Sequence, residues 1–148
     1  MDNFVFRNPT KLIVGKGTIA HLRNEIPKEK RILITYGGGS VLRNGVMDHV
    51  DEALKEHPFV MKAGGIEVNP DLETLMPIVK LAKENQIDFL LAVGGGSVAD
   101  GTKFIAHAIH YEGDPWDIVA DGSVVKQSTP LAIIINTGRL QEAKNGGE

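Results

Sequence analysis

Short apolar runs alternate along the chain with longer segments whose apolar residues recur at helical spacing. Five of the runs predict β-strands, at residues 11–14, 31–36, 59–61, 87–93 and 131–135. The second run is almost continuously apolar, which indicates a strand buried on both faces of a parallel sheet. The repeated strand–helix–strand order therefore predicts an α/β fold with a doubly wound, mostly parallel sheet and right-handed crossovers.

Helices are predicted between these strands. Their buried faces comprise Ile19, Leu22 and Ile26 after a Thr18 cap; Val46, Val50, Ala53 and Leu54; and Leu72, Leu75, Met76 and Val79. The last of these helices opens at Asn69, Pro70 and Asp71, with Pro70 in its first turn, and Pro77 predicts a kink or a restart. A fourth helix is expected from Ser97 to about Ile109, a loop at 111–127, and a frayed or docking tail after Thr137.

Two Gly-Gly-Gly-Ser turns, residues 37–40 and 94–97, follow the second and fourth predicted strands. Ligands of parallel sheets bind at the carboxyl ends of the strands, where both turns should lie. Glycine lets a ligand approach the backbone closely, and N–H groups at a helix start favour an anion such as phosphate. We expect 94–97 to hold a diphosphate, because a cleaner helix follows it. The alternative is that both are only tight strand-to-helix turns, and neither has the Gly-x-Gly-x-x-Gly spacing.

Of three polar residues near these turns, two have both a structural and a functional interpretation. Asp100 either complements the helix N-terminus or hydrogen-bonds a ligand's hydroxyl or amide groups. Lys103 would share its face, and an ion pair between the two is the simpler account. Asn69 is either a helix cap or a ligand contact.

The histidines do not predict a metal site. His107 and His110 stand three residues apart on a predicted helix, but no acidic or cysteine partner is near them in the sequence. The other three are scattered, and we expect them to be exposed: His21, His49 and His57.

Composition and charge narrow the class of protein. The chain has 148 residues, the size of one domain, and 42% of them are apolar, so it can bury a core. Its formal charge of -3, without a basic cluster, argues against nucleic acid as a partner. It has no cysteine, which excludes disulfides and thiolate catalysis. Without a signal peptide or an apolar run of about 20 residues, we expect a cytoplasmic protein and no membrane partner.

Four segments together resemble the iron-containing (group III) alcohol dehydrogenases, in their NADP-dependent butanol dehydrogenase and aldehyde reductase branch. They are residues 6–17, 34–40, 65–70 and 92–103, and the Gly-Gly-Gly-Ser-x-x-Asp-x-x-Lys block of the last is the most specific. The resemblance runs from about residue 4 to residue 135. It implies a Rossmann-like dinucleotide-binding domain over 1–135, and a divergent tail at 136–148.

The resemblance also implies roles for individual residues. The diphosphate-binding turn matches Gly94, Gly95, Gly96 and Ser97; the nicotinamide end matches Asp100; a position near a ribose matches Asn69; and the segment beside the adenosine ribose matches Gly37, Gly38, Gly39 and Ser40. NAD-preferring relatives usually carry an aspartate in this last segment, which would repel a 2′-phosphate. Its uncharged donors here favour NADP over NAD.

The activity implied is that of an oxidoreductase that transfers a hydride between NADP(H) and a small alcohol or aldehyde. The family's N-terminal segment, here 4–14, often takes part in dimer contacts, so a homo-oligomer is expected. One alternative is a non-catalytic nucleotide-binding or assembly module. Another is a polyol dehydrogenase or dehydroquinate-synthase-like domain, against which the Tyr-Gly-Gly-Gly-Ser turn argues.

The family's metal ligands, one aspartate and three histidines, lie in an all-helical domain downstream of the segments matched here. No residue of this chain inherits a metal-binding or catalytic role. The divalent metal, iron or zinc, polarises the substrate oxygen in a full-length member. We therefore expect negligible hydride transfer by a chain that lacks that domain, and such a chain would be a truncated form of the enzyme.

The tail departs from the family after Ile135, where the family continues with a threonine-rich loop containing Ala-Thr-Gly-Ser-Glu-Met. A coding sequence for that string, read from two bases earlier, gives Arg-Leu-Gln-Glu-Ala-Lys, which is residues 139–144. Our hypothesis is a local frameshift at 136–148, in the gene or in its sequence record. Sequencing the gene and finding no out-of-frame relation to a downstream reading frame for the metal domain would exclude it.

Overall fold

The computed structural model describes residues 10–14, as backbone, together with 19–121 and 124–135. Its five strands form one sheet in the order β1-β5-β4-β2-β3, and every neighbouring pair is parallel. The strands are β1 (Thr10–Val14), β2 (Ile32–Tyr36), β3 (Val60–Ala63), β4 (Phe89–Gly94) and β5 (Leu131–Ile135). All five strands predicted from the apolar runs are confirmed, and so is the parallel α/β sheet.

Helices cover both faces of this sheet. Within the described residues they are α1 (Leu22–Glu25), α2 (Ser40–Arg43), α3 (Val46–Ala53), α4 (Leu72–Glu84), α5 (Gly96–Ala108) and α6 (Pro115–Ala120). Successive side chains of β2 enter two separate cores: Leu33 joins the α4 and α5 residues, whereas Ile32 and Ile34 join those of α1 and α3. Because strand side chains alternate between faces, these two cores lie on opposite sides of the sheet, and the helices packed on both sides make it doubly wound.

The strand order reverses between β2 and β4. From β2 the chain crosses one face through α2 and α3 to reach β3, whereas from β4 it crosses the other face through α5 to reach β5. Helices that leave neighbouring strands on opposite faces open a crevice at the carboxyl edge of the sheet. Both glycine turns begin at this switch point, since 37–40 follows β2 and 94–97 spans the end of β4.

One predicted helix and one predicted loop differ from expectation. The helix expected after Ser40 is divided into α2 and α3, because Gly45 has a φ of +89° and Asn44 Oδ1 accepts from the N–H of Val46 at 3.0 Å. The predicted loop at 111–127 contains α6, which Asp114 caps by accepting from the N–H of Trp116. Local capping therefore sets where the helices begin in both segments.

The start of α4 also corrects the sequence interpretation. Asp71 is the N-cap, and its Oδ1 accepts from the N–H of Thr74 at 3.0 Å. Asn69 has a φ of +53°, so the helix-cap interpretation of Asn69 is wrong, and Pro70 precedes the helix rather than occupying its first turn. The helix passes through Pro77 without a restart, because buried residues on both sides of the proline, Leu75 and Val79 among them, anchor both halves.

Candidate functional site

A cleft of about 580 Å³ opens at the carboxyl edge of the sheet, where the two glycine turns meet. Three segments form its walls, and together they contribute Gly38; Ile66, Glu67 and Val68; and Gly95, Gly96, Ser97 and Val98. The outer segments are the turns after β2 and β4, and 66–68 lies between β3 and α4. The crevice expected at the switch point is therefore present, and both turns contribute to it.

The structure brings four of the ten predicted binding residues into the lining of this cleft: Gly38, Gly95, Gly96 and Ser97. The other six flank it along the chain: Gly37, Gly39 and Ser40; Asn69; Gly94; and Asp100. Of these, Asn69 directly follows the lining residue Val68, and Asp100 is exposed one turn along α5.

The second turn needs glycine for two different reasons. Gly94 has a φ of +152°, and a Cβ added to it would lie 2.9 Å from Cγ2 of Val98, so backbone conformation and packing both exclude a side chain. At Gly95 and Gly96 a Cβ would meet no heavy atom within 4 Å. The open space beside these two residues is on a segment that lines the cleft, so a ligand can approach the backbone there.

Helix α5 starts in this cleft without a side-chain cap. Its N-cap residue, Gly95, supplies no side-chain acceptor, whereas Asp71 and Asp114 cap α4 and α6. The first intrahelical bond runs from the N–H of Ala99 to the carbonyl of Gly95 at 3.1 Å. The N–H groups before Ala99 thus have no intrahelical partner, and with the hydroxyl of Ser97 they make an anion-binding end.

The first turn is held against the middle segment by backbone hydrogen bonds. The N–H of Gly65 donates to the carbonyl of Gly37 at 2.9 Å, and the N–H of Ile66 donates to the carbonyl of Tyr36 at 3.2 Å. A Cβ on Gly37 would lie 3.0 Å from the carbonyl oxygen of Ile66. Absence of a side chain at Gly37 therefore lets the middle segment come close enough to form one wall of the cleft.

A glycine on α5 sets the position of the same wall from the other side. A Cβ on Gly101 would lie 3.1 Å from both Cγ2 of Ile66 and Cδ2 of Leu75. Helix α5 therefore packs tightly against the start of α4 and the loop before it. Local sequence pattern indicates no role for Gly101, because the packing that requires a glycine here comes from residues distant in sequence.

The lining residues Ile66, Glu67 and Val68 likewise have no role that was predicted from the sequence. The sequence pointed to these residues only through segment 65–70, which contributed to the family resemblance. Glu67 is the one charged residue among those that line the cleft, and Val68 is 79% exposed. The cleft lining itself therefore brings no cation to an anionic ligand.

The histidines in and just after α5 have structural partners, whereas the charged residues of the helix are not paired with each other. Asp100 and Lys103 form no ion pair with each other, so the expected intrahelical pair is wrong. Nδ1 of His107 donates to the carbonyl of Lys103 at 3.0 Å, and Nε2 of His110 lies 3.0 Å from Oγ1 of Thr129. Burial lowers the pKa of both imidazoles.

One histidine expected to be exposed is in the core. His57 is buried, and its Nε2 donates to the carbonyl of Ile26 at 2.7 Å, linking the end of α3 to the end of α1. The carbonyl at the end of α1 needs a donor, and a side chain distant in sequence supplies it. His21 and His49 are exposed as expected.

The described residues do not provide a donor set for a metal ion. Those residues contain no group of three or more histidine, cysteine, aspartate or glutamate side chains arranged to hold one. No residue here is therefore assigned as a metal ligand. In the same part of the chain, no helix combines the length and apolar character needed to cross a bilayer.

Comparison with known proteins identifies the family. The model of the iron-containing alcohol dehydrogenases matches residues 9–138. The NADPH-dependent aldehyde reductase YqhD of Escherichia coli is 49% identical over 99% of this chain and 38% of its own length. A probable NADH-dependent butanol dehydrogenase 2 of Bacillus subtilis is 46% identical over 91% of this chain and 35% of its own. The chain thus spans little more than a third of these relatives.

Solved structures agree with the sequence comparison. A crystal structure of YqhD superposes with a TM-score of 0.80 at 52% identity, over 90% of this chain and 35% of that one. The NADH-dependent butanol dehydrogenase A of Thermotoga maritima superposes with a TM-score of 0.78 at 38% identity, over 90% of this chain and 34% of its own. The fold, the turns and the match over 9–138 lead to one conclusion: this chain belongs to the iron-containing alcohol dehydrogenase family.

Proposed function

We propose that this chain is the cofactor-binding part of an oxidoreductase that transfers a hydride between NADP(H) and a small alcohol or aldehyde. One observation carries the proposal: two glycine turns from neighbouring strands line a single cleft at the switch point of a parallel sheet. An extended ligand with phosphate groups suits this arrangement, because each turn offers backbone close to the ligand and the uncapped end of α5 favours an anion.

The proposed orientation follows from the two turns. The diphosphate lies on residues 94–97, where N–H groups lack acceptors and the side of Gly95 and Gly96 is open. The adenosine ribose lies beside 37–40, where Gly38 lines the cleft. Asn69 and Asp100 contact the ribose and the nicotinamide end, respectively. The nicotinamide supplies or accepts the hydride; residues of this chain bind the dinucleotide and orient it.

We propose NADP as the preferred cofactor, with NAD bound more weakly. The turn at 37–40 carries no carboxylate that would repel a 2′-phosphate, and Ser40 is an exposed hydroxyl donor. The relatives named above do not decide the preference, since one is NADPH-dependent and the other NADH-dependent. The described residues offer no metal site, so no catalytic step is assigned to the chain itself.

Calorimetric titration of the purified chain with NADPH and, separately, with NADH tests the proposal. Micromolar binding of NADPH, with weaker binding of NADH, is the expected result. Equal affinities for NADPH and NADH would contradict the proposed preference for NADP but would still support a cofactor site. Absence of binding by either dinucleotide, in a chain whose circular dichroism shows the α/β fold, would overturn the proposed function.

A second candidate function is assembly with a partner chain, and the position of β1 favours it. In the described part of the sheet β1 lies at an edge and pairs with β5 alone, so its other side presents unpaired backbone groups. A homo-oligomer formed through segment 4–14 would cover that edge. Sedimentation over a range of concentrations tests it: a monomer at every concentration would contradict this candidate and leave cofactor binding unaffected.

A further inference from the structure

The first glycine turn has a cation beside it that the cleft lining does not include. Nη1 of Arg43, in the last turn of α2, lies 3.5 Å from the position that a Cβ on Gly39 would occupy. Arg43 is exposed, and no ion pair or hydrogen bond of its guanidinium to any described residue is found. By contrast, the exposed lysines Lys55 and Lys62 form ion pairs with carboxylates.

The residues that line the cleft supply no positive charge to an anionic ligand. Glu67 is the one charged lining residue, and it is negative, whereas the proposed ligand is a polyanion. A 2′-phosphate adds two more negative charges at the adenosine end, and backbone N–H groups alone compensate them poorly. A guanidinium presents a planar fork of donors that matches phosphate oxygens, and an arginine near the ribose is a usual device for accommodating this group.

We propose that Arg43 recognises the 2′-phosphate of the cofactor and is a residue that determines preference for NADP over NAD. The inference rests on the proposed function, because it places the adenosine ribose beside 37–40. Gly39 has a φ of +108°, a left-handed conformation that favours glycine, and the guanidinium lies within van der Waals distance of its Cβ position, so Arg43 stands beside the turn. Arg43 is thus a specificity residue that does not take part in hydride transfer.

The test compares the chain with its Arg43→Gln variant by calorimetric titration with NADPH and with NADH. We expect Arg43→Gln to weaken NADPH binding about ten-fold, as for a partly solvated charge-assisted contact, and to change NADH binding by less than about two-fold. Arg43→Lys, which keeps the charge and loses the fork, should show a smaller loss. Rising salt should reduce the NADPH preference of the unaltered chain and leave that of Arg43→Gln nearly constant.

Arg23→Gln is the matched control, because it removes the same charge from an exposed arginine on α1. The ratio of NADPH to NADH affinity should be unchanged in it. Equal loss of both cofactors in Arg43→Gln, or an unchanged ratio, would overturn this inference and leave the proposed function intact. Binding of neither cofactor by the unaltered chain would overturn both. Thermal unfolding of each variant shows whether it is folded.

Discussion

The hydroxyl groups of Thr35 and Thr102 lie 2.6 Å apart in the core, and both residues are fully buried. Thr35 is on β2, just before the first glycine turn, and Thr102 is on α5, which starts at the second. The hydroxyl of Thr102 donates its proton to the carbonyl of Val98 at 2.7 Å. Thr35 must therefore donate to Thr102, so a directed chain of hydrogen bonds links the bases of the two turns.

This direction predicts unequal effects of removing the two hydroxyls. Thr35→Val removes a donor and leaves Thr102 bonded to Val98, so it should lower the free energy of unfolding by about 1 kcal/mol. Thr102→Val leaves the buried Thr35 hydroxyl without its acceptor, so it should cost about 2–3 kcal/mol. The double variant should cost less than the sum, because the two changes share one interaction.

Urea denaturation measures these three values, and Thr102→Ser is the control that keeps the hydroxyl. Equal destabilisation by the two single variants, or full additivity, would contradict the proposed direction of donation.

The two kinds of glycine in the second turn should respond differently to alanine. Gly94→Ala places a Cβ 2.9 Å from Val98 on a backbone with a φ of +152°, so it should lower stability by more than about 1 kcal/mol. Gly96→Ala replaces glycine within the first turn of α5, where a Cβ has open space, so stability should be unchanged or slightly raised. Its methyl group would nevertheless occupy the space proposed for the diphosphate.

Thermal unfolding and NADPH titration of both variants separate the two effects. Gly96→Ala should fold normally and bind NADPH at least about ten-fold more weakly, a loss of roughly 1.4 kcal/mol. A Gly96→Ala variant that binds NADPH as well as the unaltered chain would place the diphosphate elsewhere.

A carboxylate at Gly38 should reverse the cofactor preference. A Cβ on Gly38 meets no heavy atom within 4 Å, so a side chain fits there without steric conflict. Gly38→Asp would repel a 2′-phosphate and can accept from a ribose hydroxyl, so NADPH binding should fall by more than about ten-fold while NADH binding is retained. Gly38→Asn is the isosteric control. Parallel changes in the affinities of both cofactors, or the same reversal with asparagine, would show that charge is not the cause.

Stability should decrease on mild acidification because of His107. Burial is the main cause of its lowered pKa; the repulsion by His110 acts in the same direction, and the hydrogen bond to Lys103 opposes both. Above the ordinary histidine pKa of about 6.5, both the folded and the unfolded states are neutral and the stabilisation is complete. Below it the unfolded state takes up the proton first, so the free energy of unfolding falls until the pH passes the folded-state pKa.

His107→Gln should reduce this fall in stability between neutral pH and about pH 5, as measured by urea denaturation at each pH. His49→Gln, which removes an exposed imidazole from α3, is the matched control. A pH dependence that changes equally in both variants would contradict the assignment to His107.

The strands, the parallel sheet and the two glycine turns could be predicted from the local sequence pattern. Runs such as 31–36 and 131–135 are apolar because strands buried on both faces have no solvated side, so the pattern predicts both the strand and the parallel sheet. The two Gly-Gly-Gly-Ser turns were visible for a similar reason, since a ligand that approaches the backbone requires residues without a Cβ. Predictions that depended on which of several neighbouring polar residues caps a helix were less successful. Asp71 rather than Asn69 caps α4, and α6 forms in a segment predicted to be a loop.

The sequence by itself determined the five strands, the helical faces, the two turns and the family to which they belong. Only the tertiary structure decided that 66–68 joins the turns in one cleft, that His57 is buried, that Thr35 meets Thr102, and that Arg43 stands beside Gly39. The physical reason is that periodicity and turn chemistry are properties of neighbouring residues. Contacts such as that of Thr35 and Thr102, which are 67 residues apart, arise when the strand order places distant segments at one edge of the sheet.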